Sequence, residues 1–211
     1  MSSSPAAIWE RYAAKYEPRR SINAAGATTW LNWTQYPDHG PDETVLGDLR
    51  GKRVLELGSG AGANLAHLAT LGAICTGIDV APSRAGLAHR TWGHLGSLEF
   101  VTADALDYLT GTNATFDIVY SIFGAVWFTD PEALFPLVRN RMNDGGVFAF
   151  SQPPATERQD GPGQVVRQRH LPVRQWTEQL AAARFDEIVA EAIEAPEPGK
   201  AGTVLVHARA A

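Results

Sequence analysis

Val54-Leu55-Glu56-Leu57-Gly58-Ser59-Gly60-Ala61-Gly62 is the stretch that decides how this chain folds. The apolar run from Arg53 to Leu57 stops at Gly58, which is how a buried strand ends at a turn. Ala63 to Leu71 follows with Leu65, Ala66, Leu68, Ala69 and Leu71 at helical spacing. A strand that turns through glycines into a helix opens a parallel α/β unit. Glycines in that turn let the backbone bend sharply and approach a ligand, and the helix N-terminus beyond them presents free amides.

Outward from this unit, the two periods keep alternating. Ala73 to Ile78 reads as a second strand, and Pro82, at a position where a helix tolerates proline, starts a helix to Trp92. Leu98 to Thr102 and Phe116 to Ser121 read as strands three and four. Asp130-Pro131 is a helix start, and the spacing predicts a helix to about Met142 that ends near Asn143, Asp144 and Gly145. Gly146 to Ser151 gives strand five. Gln152 to Gly163, rich in proline, glycine and polar residues, reads as a long loop of the kind that forms lids or binding segments. A helix follows Pro172 to about Ala183. Strands near Glu187 to Ile193 and Thr203 to Ala208, separated by Pro196, Pro198 and Gly199, form an antiparallel pair. Residues 5–48 read as helical and aromatic, with Trp9, Tyr12, Tyr16, Trp30, Trp33 and Tyr36. The expected division is an N-terminal helical lid over residues 1–48 and a core over 49–211, one domain overall.

Composition narrows the function. Apolar residues at 45% and charged residues at 19% suit a globular core rather than a disordered chain. The longest apolar stretch, Val119 to Phe128, is interrupted by Ser121 and Gly124 and falls well short of the roughly 18 residues of a membrane span. Met1 to Ala7 lacks the pattern of a secretory signal. Cys75 is the only cysteine, which excludes a disulfide framework and a zinc cage, so a cytoplasmic setting is expected. A net charge of −5 with scattered basic residues argues against a nucleic-acid partner. Arg167, Arg169 and Arg174 form the nearest thing to a basic cluster and read as a solvated face.

The glycine run alone fits two ligand classes, because Gly58, Gly60 and Ala63 also satisfy the dinucleotide pattern G-x-G-x-x-G/A. Three acids shift the balance. Asp79 closes the second strand, where a carboxylate can accept from both ribose hydroxyls. Asp104, in Thr102-Ala103-Asp104-Ala105, follows the third strand at a position the dinucleotide pattern does not demand. Glu56 puts a further acid beside the turn, which repels a pyrophosphate and tolerates a cation. Taken singly, Asp104 also suits a turn cap and Asp79 a helix-start acid.

As an ordered set, these residues resemble the class I S-adenosylmethionine-dependent methyltransferases over roughly residues 50–151. The resemblance implies a Rossmann-like α/β fold: a seven-stranded, mostly parallel sheet with an antiparallel C-terminal strand and helices on both faces. It implies S-adenosylmethionine as cofactor, with Glu56, Gly58, Ser59, Gly60, Gly62 and Asn64 around its methionine part. Asp79 would hold the ribose hydroxyls and Val80 would pack on the adenine. Asp104 would accept from the adenine amino group, and Ala105 would donate its backbone amide. Ser121 and Ile122 would lie at the mouth of strand four beneath the transferred methyl, and Tyr16 would reach the cofactor carboxylate.

Departures from related patterns bear on the substrate. The Asn/Asp-Pro-Pro-aromatic motif of methyltransferases acting on DNA bases or protein glutamine is replaced here by Ser121-Ile122-Phe123-Gly124, and Gln152-Pro153-Pro154-Ala155 follows the wrong strand. No metal ligands cluster. A small-molecule acceptor is therefore expected, methylated on oxygen, nitrogen or carbon, as in a tailoring enzyme of specialised metabolism. Trp30, Trp33, Phe123 and Trp127 are candidate pocket walls. His170 and His39, outside the regular core elements, are candidate general bases. Monomer and homodimer both remain open. Two other classes share the motif: an NAD-dependent oxidoreductase, and a non-catalytic partner subunit that only binds the cofactor.

Overall fold

The computed structural model describes residues 5–14, 22–155 and 168–211. Strands β1 (Arg53–Leu57), β2 (Ile74–Asp79), β3 (Leu98–Thr102), β4 (Phe116–Ile122), β5 (Met142–Gln152), β6 (Phe185–Ile193) and β7 (Thr203–Ala210) form one sheet. Its order is β3-β2-β1-β4-β5-β7-β6. Pairs among the first five are parallel, and β7 runs antiparallel to both β5 and β6. The sheet therefore reverses its winding beside β1, and the ends of β1 and β4 open the crevice where ligands bind in such sheets.

Helices α1 (Pro5–Ala13), α2 (Ala63–Thr70), α3 (Pro82–Trp92), α4 (Ala105–Gly111), α5 (Ala125–Phe128), α6 (Pro131–Asn140) and α7 (Val173–Ala182) complete the described elements, with a 3₁₀ turn at Glu43–Leu46. Strand residues alternate between two cores. Leu55, Leu57, Val119, Phe148 and Phe150 face α4, α6 and α7. Val54, Cys75, Ile118, Tyr120 and Ala149 face α2 and the segment before β1. Burial on both faces explains why these strands read as nearly continuous apolar runs.

Local chemistry sets the helix ends. Asp104 Oδ1 accepts from the amides of Leu106 and Asp107, and Asp130 Oδ1 accepts from Glu132, so both acids cap helices that leave strands β3 and β4 behind. Pro82 and Pro131 occupy first turns, where no amide is missed. Helix α6 stops at Asn140, earlier than the sequence spacing predicts, because Met142 already pairs with Phe116. The Asn143–Gly145 stretch, expected as the end of the helix, is absorbed into β5 as an irregularity in that register.

The region before β1 corrects another expectation. Among the described residues it is helical only over Pro5–Ala13 and at the 3₁₀ turn. The rest is an irregular strap. Trp33 is fully buried, donates Nε1–H to Asp42 O at 2.9 Å, and packs edge-on against Tyr120. Trp30 is buried as well. Both are buried, and Trp33 fills the space between the strap and the sheet. The strap is tied down at two places. His67 on α2 meets Thr29 and Glu43, and Gln35 and Tyr36 both donate to Ala201 O in the β6–β7 turn.

Candidate active site

Gly58 has φ +82°, and a Cβ there would lie 2.7 Å from Ala125 N, so only glycine lets β1 end this close to α5. Gly60 has φ +54°, and a Cβ there would meet nothing within 4 Å, because its open side faces a cavity. That cavity, of about 660 Å³, runs along the C-terminal ends of β1, β2, β3 and β4. Ser59, Gly60, Gly62 and Asn64 line it where α2 begins.

Acids line the same wall. Glu56 is 2% exposed, at the point where β1 meets the glycine turn. Asp79 accepts from Gly60 N at 2.9 Å through Oδ2 and from Ala81 N at 2.8 Å through Oδ1. One carboxylate thus fixes both the glycine loop and the start of α3. Each oxygen keeps lone-pair capacity for a ligand hydroxyl. Burial pushes the Asp79 carboxyl above its ordinary range, and the two backbone N–H donors oppose that shift. Asp104 lines the cavity with Oδ1 engaged as a cap, while Val80, Ala105 and Ile122 supply apolar surface.

Other expected residues fall elsewhere. Ser121 is 1% exposed and does not line the cavity: its Oγ donates to Leu57 O at 2.7 Å and accepts from Val126 N at 3.3 Å, which binds the end of β4 to the end of β1. His39 is corrected from candidate base to structural tie. Its Nε2 lies 2.7 Å from Glu194 O at the β6–β7 turn, where the strap holds it. Trp30 and Trp33 wall no described cavity. Tyr16 lies outside the described residues. Phe123 lines the cavity, and Trp127 stands behind it with ring centroids 6.1 Å apart. His170 packs edge-on to Trp127 at 5.9 Å, one ring removed from the cavity. Cys75, buried with its thiol pushed up to about 12 by burial and by the charge of Glu56, is no nucleophile.

Trp9, Phe128 and Arg84 line the cavity and were not among the candidate site residues. Trp9 on α1 closes the cavity by packing edge-on against Phe128 at 4.5 Å, and Glu10 accepts from Ser83 N at 2.8 Å, which anchors α1 on α3. Arg84 lines the cavity one turn into α3. Isolated aromatic and basic residues in helices carry no local signal that distinguishes them from core or surface.

The family profile described as a methyltransferase domain matches residues 55–150. Over β1 to β5, the chain therefore resembles a methyltransferase domain. Solved structures share this fold at low identity. One, an S-adenosylmethionine-dependent methyltransferase from Listeria monocytogenes, is 18% identical with a TM-score of 0.64 over 79% of this chain and 94% of that one. Another, from Mesorhizobium loti, is 22% identical with a TM-score of 0.63 over 79% and 94%. A third, the Burkholderia thailandensis 1,6-didemethyltoxoflavin-N1-methyltransferase with bound 1,6-didemethyltoxoflavin and S-adenosylhomocysteine, is 22% identical with a TM-score of 0.60 over 80% and 79%. A search of curated proteins by sequence finds no match.

The residues present fit S-adenosylmethionine, the cofactor that this resemblance implies: an open glycine cradle, a buried acid at the turn, and an acid at the end of β2 with spare acceptor capacity. Among the described residues, no three potential ligands group to hold a metal, and no helix is long and apolar enough to cross a membrane. The raised Asp79 carboxyl has a measurable consequence. If Asp79 receives the ribose hydroxyls, which donate best to the ionised form, S-adenosylhomocysteine affinity is expected to be highest above the folded pKa and to fall as pH drops through it. Titration calorimetry from pH 7.5 downward should show that decline begin above the ordinary carboxylate range. A flat profile down to pH 4 would separate Asp79 from the ribose.

Proposed function

We propose that the protein methylates a small molecule on oxygen, nitrogen or carbon, with Glu56, Asp79, Asp104 and the Gly58–Gly62 loop holding the cofactor. Bound S-adenosylmethionine supplies an electrophilic methyl on a sulfonium. The observation that carries the small-molecule reading is that the aromatic rim of Trp9, Phe123 and Phe128 belongs to the same cavity as the glycine loop. A ligand of modest size can be walled there against the cofactor, and holding it at near-attack distance supplies much of the rate. Helix α1 acts as the lid, through Trp9 and Glu10.

His170 is the base in this reading. Its Nε2 lies 2.9 Å from Gln168 Oε1, an acceptor, so Nε2 carries the hydrogen and Nδ1 keeps a lone pair. For a hydroxyl acceptor, His170 Nδ1 would take the hydroxyl proton, and the bound cofactor would supply the methyl group. Such a base contributes about 10²–10⁴-fold.

The test is incubation with S-adenosylmethionine and a panel of phenols, amines and enols, with S-adenosylhomocysteine release as readout. Acceptor-dependent release, reduced about a hundredfold or more in His170→Gln, is the expected result. Cofactor binding with no release from any small acceptor would favour a partner subunit.

A further inference from the structure

Phe123 has φ +48°, in the left-handed region that a bulky aromatic residue rarely adopts. Its amide is held by Ser151 O at 2.9 Å, so the pairing with β5 maintains the strain. Residues held this way gather at ligand clamps. The Phe123 ring faces the cavity and also touches Trp127, so it separates the cavity from what lies behind.

Behind it are two polar atoms on neighbouring rings. Trp127 Nε1 and His170 Nδ1 are both shut off from solvent and have no hydrogen-bond partner among the described residues. The rings stand nearly perpendicular, at 84°. One atom is an obligate donor. The other, with Nε2 committed to Gln168, is an acceptor. Leaving a buried polar group unpaired costs about 1–3 kcal/mol, so two complementary ones on rings whose centroids lie 5.9 Å apart mark a place where a partner of matching pattern is worth most. The surroundings are built to hold that pair still. Arg169 N donates to Trp127 O at 2.7 Å, and Arg169 Nη2 reaches Asp130 Oδ2 at 3.3 Å, which fastens residues 168–170 to α5 and the start of α6.

We infer that Trp127 and His170 read the acceptor substrate as a flat aromatic ring carrying a hydroxyl next to an oxygen acceptor. The hydroxyl donates to His170 Nδ1 while the neighbouring oxygen accepts from Trp127 Nε1–H. The ring itself lies against Phe123 and Phe128, and rotation of the Phe123 side chain gives it access. This rests on the methyltransferase reading above and specifies its substrate class. The selection follows from satisfiability. A phenol without the second oxygen leaves Trp127 unpaired, and a diether leaves Nδ1 unpaired.

The test uses protein saturated with S-adenosylhomocysteine and three probes: 2-methoxyphenol, phenol and 1,2-dimethoxybenzene. Calorimetry should give 2-methoxyphenol the tightest binding, about tenfold over each single-handle probe, the size of one net hydrogen bond. Trp127→Phe keeps the ring and loses the donor. It should bring 2-methoxyphenol down to the level of phenol while leaving phenol and S-adenosylhomocysteine unchanged. Equal affinities for the three probes, no binding by any of them, or a Trp127→Phe protein that still ranks them as before would overturn the inference, and an enclosed water would then be the partner of the pair. The ranking in the unaltered protein stands whether or not the variant folds. Failure of S-adenosylhomocysteine itself to bind would instead count against the methyltransferase reading.

Discussion

Asp79→Ala is expected to abolish useful cofactor binding, with S-adenosylhomocysteine affinity reduced a hundredfold or more. A carboxylate hydrogen bond contributes about 1.5–3 kcal/mol, and in the proposed binding mode two ribose hydroxyls reach the same group, so roughly 3 kcal/mol is the lower bound. The loss goes beyond the ligand contacts. Asp79 also accepts from Gly60 N and Ala81 N, and without it the glycine loop and the first turn of α3 lose a shared anchor. The alanine variant should therefore bind worse than Asp79→Asn, whose amide oxygen can still accept from one of those amides. Titration calorimetry, with a thermal melt to verify folding, decides the matter. An alanine variant that binds within about threefold of the parent would mean that Asp79 serves the loop alone.

The second large effect is one of stability. Trp33→Ala should destabilise the protein by about 3–5 kcal/mol, the range for emptying a buried aromatic site. In a chain of this length that corresponds to a fall in Tm of roughly 6–20 °C. Trp33 is fully buried against Tyr120, and its indole N–H satisfies Asp42 O, so the variant loses packing and leaves a carbonyl unpaired. Turnover measured well below the new Tm should stay within a few-fold of the parent. Intact stability with lost turnover would return Trp33 to the substrate wall that its sequence context suggested.

Trp33 also shows where reading from sequence runs out. A parallel strand buried on both faces announces itself as an apolar run, so β1 and β3 match their sequence boundaries to the residue. Helices with a proline or a capping acid announce their starts, as Pro82 and Asp130 do. The aromatic residues before β1 carry no such periodicity, because an irregular strap has no repeating face. Nothing local says that Trp30 is buried and Trp33 packs on the sheet while Trp9 lines the cavity. Short elements hide for the same reason. Helix α5 has four residues, too few for a helical period to register. Helix α4 begins at an acid that the ligand pattern had already claimed; Asp104 is found capping it, and lines the cavity as well. Ser121 belongs to the same class of error. Its position at the end of β4 was legible, but the direction of its hydroxyl, toward Leu57 O, depends on the neighbouring strand.

The outer strand of the sheet has a consequence for life at high concentration. β6 lies at the edge, so one row of its backbone donors and acceptors faces outward, where a second chain could in principle dock. Its pairing with β7 slips between Asp186 and Val189, and Glu187 sits there with φ +46°, a bulge that turns the ribbon out of plane. Asp186, Glu187 and Glu191 stud the same strand with negative charge, and among the described residues only Glu187 of the three meets a cation, Arg209 at 3.7 Å. A kinked, like-charged border is a poor template for intermolecular strand growth. This edge is thereby guarded against fibrillar self-association by its own kink and charge.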